Sequence, residues 1–183
     1  MKFDADAIVP FPREQVFLAY RDDMPRAVSY MSAVNAIEVL EVEDVSPGVR
    51  RYLKVWSGTG DIPAALKPFL PDGTLRWDDR VVWDQSAWAS RWTIRAHAFP
   101  EAISVTGTTS LVAISGGRTR VELRGDFVVD SRKLASLPQI IAQPLARTAE
   151  AYLTRQITSN LATTSEAISR LLREASENAR TVV

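Results

Sequence analysis

The stretch that most constrains this chain runs from Thr74 to Asp130, where apolar and polar residues alternate with a period of two through four successive segments. In the first, Leu75, Trp77, Val81 and Trp83 share one parity with Asp79 as its single polar member, and Arg76, Asp78, Arg80 and Asp84 take the other. In the second, Trp88, Ser90, Trp92, Ile94 and Ala96 oppose Arg91, Thr93, Arg95 and His97. The third sets Ile103, Val105, Gly107, Thr109 and Leu111 against Ser104, Thr106, Thr108 and Ser110. The fourth sets Thr119, Val121, Leu123, Gly125, Phe127 and Val129 against Arg118, Arg120, Glu122, Arg124 and Asp126. Successive side chains of a strand point to opposite faces, so each segment predicts a half-buried antiparallel strand. A sheet built this way must cover its apolar face, and what lies beneath the cover bears on function.

The flanking sequence supplies the cover. Phe3, Ala5, Ala7 and Val9 predict a first strand ending at Pro10, and Pro12 suits the first turn of a helix carrying Val16, Phe17 and Tyr20. A second short helix is expected from about Arg26 to Ser32, after Pro25, with Val28 and Met31 inward. Ile37 to Val42 reads as a strand with a slip at Val39–Leu40; Ser46-Pro47-Gly48 turns the chain into a returning strand, Val49 to Trp56, whose parity is ambiguous. After Asp130, apolar residues recur at helical spacing from Leu137 through Leu145, Leu161 and Ile168 to Leu172. Pro144 implies a late start or a kink, and from Leu145 to about Ala175 nothing breaks a helix of roughly 45 Å. From about Glu177 the pattern fades into an expected disordered tail.

Composition excludes some chemistries. With 183 residues, 46% of them hydrophobic, the chain reads as one domain with a substantial core. A net charge of zero argues against a nucleic-acid partner. The outward arginines (Arg76, Arg80, Arg91, Arg95, Arg118, Arg120, Arg124) are interleaved with Asp78, Asp84, Glu122 and Asp126, as cross-strand ion pairing would require. The lack of cysteine removes thiolate nucleophiles and sulfur ligands, and the one histidine, His97, has no second to share a metal. No metal, cofactor or catalytic group is therefore expected. No apolar run follows Met1 and none approaches bilayer length, so a cytoplasmic location is the expectation.

The order of strand, one or two short helices, six strands and a long amphipathic helix resembles the helix-grip fold of the START-like (SRPBCC) superfamily, which includes polyketide cyclases and plant pathogenesis-related proteins of the Bet v 1 type. Pro12-Arg13-Glu14-Gln15-Val16-Phe17 matches the opening of the first helix in such proteins, and the proline-spaced segment Ile62 to Leu70 is similar to bacterial START-like and PRELI-type lipid-binding proteins. The resemblance implies an α+β fold over residues 1–183, a curved seven-stranded antiparallel sheet around the C-terminal helix, and a cavity between them for a hydrophobic small molecule such as a lipid or polyketide-like compound.

On that reading Trp77, Asp79, Trp92, Val105 and Leu123 would face the ligand from the sheet, and the inward glycines Gly107 and Gly125 would mark either a bend or space kept open for it. Leu145, Ala149, Tyr152, Leu153, Gln156 and Asn160 would face it from the helix. Ile62, Leu66, Phe69 and Leu70, in the long connection from Gly58 to Gly73, would form a lid or a short packing helix. Asp79 leaves three alternatives open: pairing with an inward Arg51, contact with a ligand as an orienting group or general acid, or a bulge that turns it outward. A non-enzymatic carrier or sensor, a cyclase- or aromatase-type enzyme, and a protein-interaction module with a filled core are the competing functions. Transient membrane contact is compatible with the first. The enzyme would need a second ionisable residue within reach of Asp79, and none is obvious.

Overall fold

Seven strands form one antiparallel sheet in the computed structural model, which describes residues 1–59, 62–70, 74–134 and 137–181, without the side chains of 157, 158, 180 and 181. The strands are β1 (Lys2–Val9), β2 (Val34–Ser46), β3 (Val49–Gly58), β4 (Leu75–Asp84), β5 (Ala89–Ala96), β6 (Ile103–Ile114) and β7 (Arg118–Val129). Their order across the sheet is β1-β7-β6-β5-β4-β3-β2, so β2 to β7 follow one another as a meander and β1 closes onto β7. Two short helices, α1 (Arg13–Asp22) and α2 (Met24–Ala27), carry the chain from one edge of the sheet to the other. The third, α3 (Gln139–Thr181), has 43 residues, about 65 Å at 1.5 Å per residue.

Local sequence explains most of this. Gly116 and Gly117 both take positive φ, at 77° and 65°, which lets the β6–β7 connection turn tightly. The slip at Val39–Leu40 is real: the β2–β3 register shifts between Val39 and Glu41. Trp88 departs from its expected strand position. Its φ of 51° puts it in the β4–β5 turn, where Asp84 Oδ1 accepts the backbone N–H groups of Ser86 and Ala87. The Trp88 ring still packs edge-on against Phe17 and under the Arg13 guanidinium. The second helix is α2 followed by a 3-10 turn at Val28–Tyr30, earlier and shorter than the apolar spacing implies.

The long helix differs from expectation at both ends. It begins at Gln139, so Pro144 lies inside it, and it continues to Thr181, past the expected tail boundary at Glu177. A proline at position 144 leaves the Ile140 carbonyl without its helical donor. Ile140 is 84% exposed and Ile141 48%, so that carbonyl lies near solvent and neither side chain belongs to the inward stripe.

Most of the buried apolar residues fall into two clusters, with Val105, Phe127, Ala149 and Tyr152 among those buried outside both. The larger joins β1, α1 and α2 to the C-terminal half of α3 through Phe17, Met24, Trp83, Leu161, Ile168 and Leu171, among others. Here the Tyr20 hydroxyl hydrogen-bonds Ser165 Oγ at 2.7 Å, a buried tie between α1 and α3. The smaller joins Ala102, Leu134, Ala142, Leu145 and Ala146 near the start of α3, with Leu66, Phe69 and Phe99 packed onto it. Between the two, α3 spans a stretch of sheet without filling the space beneath.

Candidate functional site

That space is a cavity of two compartments sharing Trp77, Ile94, Val105 and Asn160 as common walls. The outer one, about 170 Å³, is bounded by Ile62, Leu66, Phe69 and Leu70 on one side and by Ala149, Tyr152, Leu153 and Gln156 of α3 on another. The inner one, about 210 Å³, reaches toward α1 between Phe3, Trp56, Trp83 and Trp92 of the sheet and Leu161 and Thr164 of α3. A single water needs only about 10–15 Å³ by this kind of measure, so either compartment has room for a guest molecule.

The segment before β4 covers the outer compartment. Its described part holds a 3-10 turn at Lys67–Phe69. The Phe69 ring meets Phe99 with centroids 5.3 Å apart. Phe99 has a φ of 56°, an unfavourable backbone setting for a bulky residue, and that conformation presents its ring to the covering segment. The bounds of the connection at Gly60-Asp61 and at Pro71 to Gly73 lie outside the described residues.

The inner compartment is mainly apolar, with Ser90, Thr109, Asn160 and Thr164 also on its walls, and its charged residues are Asp79 and Lys54. Asp79 stands on the concave face of β4, directly opposite Lys54 of β3 in the strand register. Asp79 is half-buried, but what it faces is the cavity, and burial raises its pKa to about 6 even though the Lys54 charge and the Trp56 indole N–H oppose the rise. The Trp56 N–H leans toward Asp79 without closing a well-formed hydrogen bond. Lys54 is 2% exposed, and burial lowers its pKa while Asp79 and Asp22 pull it back up. Its Nζ donates to the Arg21 carbonyl at 3.2 Å, in the last turn of α1, where the helix dipole favours a cation. The Tyr52 hydroxyl donates to Asp22 close by; burial works to raise the Asp22 pKa, but hydrogen bonds from Arg21 and Tyr52 and the charges of Arg21 and Arg50 outweigh it and hold the carboxyl low. Lys54 is thus anchored at α1 and offsets the Asp79 charge across a gap, without a direct ion pair.

No protein-family model matches the sequence, and no curated protein matches it either. Solved structures do match. The ZhuI aromatase/cyclase from Streptomyces sp. R1128 superimposes with a TM-score of 0.66 at 16% identity, over 93% of this chain and 95% of its own. TTHA0849 from Thermus thermophilus gives 0.64 at 17%, over 92% and 97%. Norcoclaurine synthase from Thalictrum flavum, solved with dopamine and hydroxybenzaldehyde, gives 0.61 at 12%, over 95% and 87%. The chain has the helix-grip fold.

Within the helix-grip cavity, the expected positions Trp77, Asp79, Trp92, Val105, Leu123, Ala149, Tyr152, Leu153, Gln156 and Asn160 all line one or both compartments, as do Ile62, Leu66, Phe69 and Leu70. Three expected positions do not. Leu145 is buried one turn too early, in the smaller cluster with Ala102 and Leu134. Gly107 and Gly125 pair across β6 and β7, and aromatic rings close over both. A Cβ on Gly107 would lie 2.5 Å from the Trp92 ring, and one on Gly125 2.6 Å from the Phe3 ring. The glycines therefore seat the Phe3–Trp92 stack that floors the inner compartment, and the space above them belongs to those rings.

The proposed Arg51 partner of Asp79 is also corrected. Arg51 faces the convex side and pairs with Glu43 at 2.9 Å, because Tyr52, Lys54 and Trp56 take the inward parity of β3. Phe3, Trp83 and Ser90 also line the inner compartment without having been expected there, and the missed residues that bear on Asp79 are Lys54 and Trp56. The pattern that could have found them is the even parity of β3, where an inward Tyr52-x-Lys54-x-Trp56 set meets Trp77 and Asp79 once the two strands are paired. His97 sits on the outer side beside Asp78, its Nε2 2.6 Å from Oδ1. Outward arginines pair with acids there: Arg124 with Asp6 at 2.6 Å and Arg120 with Glu122 at 2.7 Å. Among the described residues no cluster of three potential metal ligands occurs, and no helix is long and apolar enough to cross a membrane.

Proposed function

We propose that this chain binds a hydrophobic small molecule in the cavity between sheet and α3, as a carrier or sensor. The observation that carries the proposal is the unfilled space between the two core clusters, walled mainly by apolar side chains and covered by the aromatic segment around Phe69. Natural interiors close-pack, so two voids of this size are expected to have an occupant. A module that used its outer surface to bind protein would have no need of them. Binding would draw on burial of apolar area, at about 25 cal/mol per Å² before ordering losses. Exposed Ile140 and Ile141, beside the smaller cluster at the start of α3, would make any transient membrane contact during loading. Native mass spectrometry of protein purified without detergent is expected to show a co-purified mass, and Tyr152→Ala is expected to weaken its retention. An empty wild-type protein that also fails to take up hydrophobic dyes would end this reading.

A second reading has its own support. Asp79, with its pKa near 6, and Lys54 across the strand register are the two ionisable groups an acid–base enzyme of the cyclase or aromatase type would need, and ZhuI and norcoclaurine synthase share the fold. Incubating the recovered ligand with fresh protein separates the two. An unchanged ligand mass and chromatographic behaviour favour the carrier, and conversion lost in Asp79→Asn favours the enzyme.

A further inference from the structure

The inner compartment holds polar atoms whose partners are missing. The Trp56 Nε1 and Ser90 Oγ atoms are buried without a well-formed hydrogen bond among the described residues, and both residues line this compartment. Ser90 is 2% exposed, so solvent does not relieve it. Asp79 has only the loose approach of Trp56 and the distant charge of Lys54. Buried polar groups are ordinarily satisfied, and each one left alone destabilises the fold. Trp56 and Asp79 stand together here, while Ser90 lies farther along β5, opposite Trp83.

Their chemistry selects the occupant. Trp56 and Asp79 are diagonal neighbours on the concave face of β3 and β4, since Trp56 pairs with Trp77 and Lys54 with Asp79. One is a donor only and the other chiefly an acceptor. A hydroxyl can accept from the first and donate to the second with a single oxygen. A cation would suit Asp79 but would meet Lys54, already fixed beside it at the Arg21 carbonyl. An anion would be repelled by Asp79. Around this point stand the flat faces of Phe3, Trp56, Trp77 and Trp92, with Trp56 and Trp77 stacked at 5.9 Å and Phe3 and Trp92 at 6.2 Å. Such walls favour a ring over a flexible chain, because offset stacking adds to area burial and a rigid ring has less freedom to lose.

We propose that the inner compartment is a subsite for a neutral hydroxyl-bearing aromatic ring, its hydroxyl held between the Trp56 indole N–H and the Asp79 carboxylate. This rests on the binding function proposed above and names the ligand class. The outer compartment then takes the apolar remainder of the ligand, under Leu66 and Phe69.

The test compares 2-naphthol with 2-methylnaphthalene, two probes of nearly equal shape of which only the first carries a hydroxyl, by calorimetry and tryptophan fluorescence at pH 7. The wild-type protein is expected to prefer the naphthol by tenfold or more. Trp56→Phe, which removes the N–H and keeps a ring, and Asp79→Asn are each expected to cut that preference to threefold or less while affinity for the methylnaphthalene changes little. Equal wild-type affinity for both probes overturns the hydroxyl subsite and leaves the cavity-binding function standing. So does a preference that survives in both variants. Failure of the wild type to bind either probe up to its solubility overturns the subsite, and the binding function falls with it only if the protein also purifies empty and takes up no hydrophobic dye.

Discussion

Asp79 shows how a single side chain changes meaning with its surroundings. On an exposed strand it would be one more acid among arginines; facing a cavity, it carries a pKa of about 6. The sign of the consequence follows from linkage. Its folded pKa lies above the unfolded value near 3.9, so the native state holds the extra proton between those values, and stability falls as pH rises through that window. Wild-type unfolding free energy, compared with that of Asp79→Asn, is expected to drop by about 2–3 kcal/mol between pH 4 and pH 7, measured by urea denaturation. Because the Lys54 charge lowers the Asp79 pKa, Lys54→Met is expected to move the Asp79 midpoint still higher, as read by carboxyl carbon NMR. Gly107 makes a second point at this scale. Alanine there would put a Cβ 2.4 Å from the Arg124 carbonyl oxygen as well as against Trp92. Gly107→Ala is expected to destabilise the protein by about 2–3 kcal/mol, through overpacking against backbone that cannot yield, and a thermal melt checks it.

Among the elements, α3 and the segment over the cavity divide the work. The helix is anchored at its two ends, by Ala142, Leu145 and Ala146 in the smaller cluster and by Ala167, Ile168 and Leu171 in the larger. Its middle turns line the cavity with Ala149, Tyr152, Leu153, Gln156, Asn160 and Thr164 and leave the gap to the sheet open. The Tyr20–Ser165 hydrogen bond fixes α1 against the far anchor, and Tyr20→Phe is expected to destabilise by about 1 kcal/mol, leaving a hydroxyl of Ser165 without that partner. The covering segment packs onto the smaller cluster through Leu66 and Phe69, with the Phe69 ring against Phe99. Phe69→Ala is expected to speed release of bound 2-naphthol about three- to tenfold while lowering unfolding free energy by only about 1–2 kcal/mol; stopped-flow fluorescence and urea melts separate the two effects.

At the scale of the whole molecule, the sheet wraps a helix that holds it apart, and the cavity is the difference between two clusters that pack and a middle that does not. Much of this was legible in residue order. The parities of β4 to β7, the turns at Gly48 and at Gly116-Gly117, the slip in β2 and the long helix all follow from period-two or helical alternation, which depends on near neighbours along the chain. The even face of β3 was not legible, because Leu53 and Val55 are as apolar as Tyr52 and Trp56, and pairing with β4 decides between them. For the same reason Lys54 could not be recognised as the partner of Asp79, nor Phe3 and Trp92 as the rings over Gly125 and Gly107: each contact joins residues far apart in sequence, whose distance is set when the sheet closes. Alternation along the chain determined which faces are apolar. Only the tertiary structure decided which apolar faces meet and which leave a space, because a void is a property of surfaces brought together and belongs to no single residue.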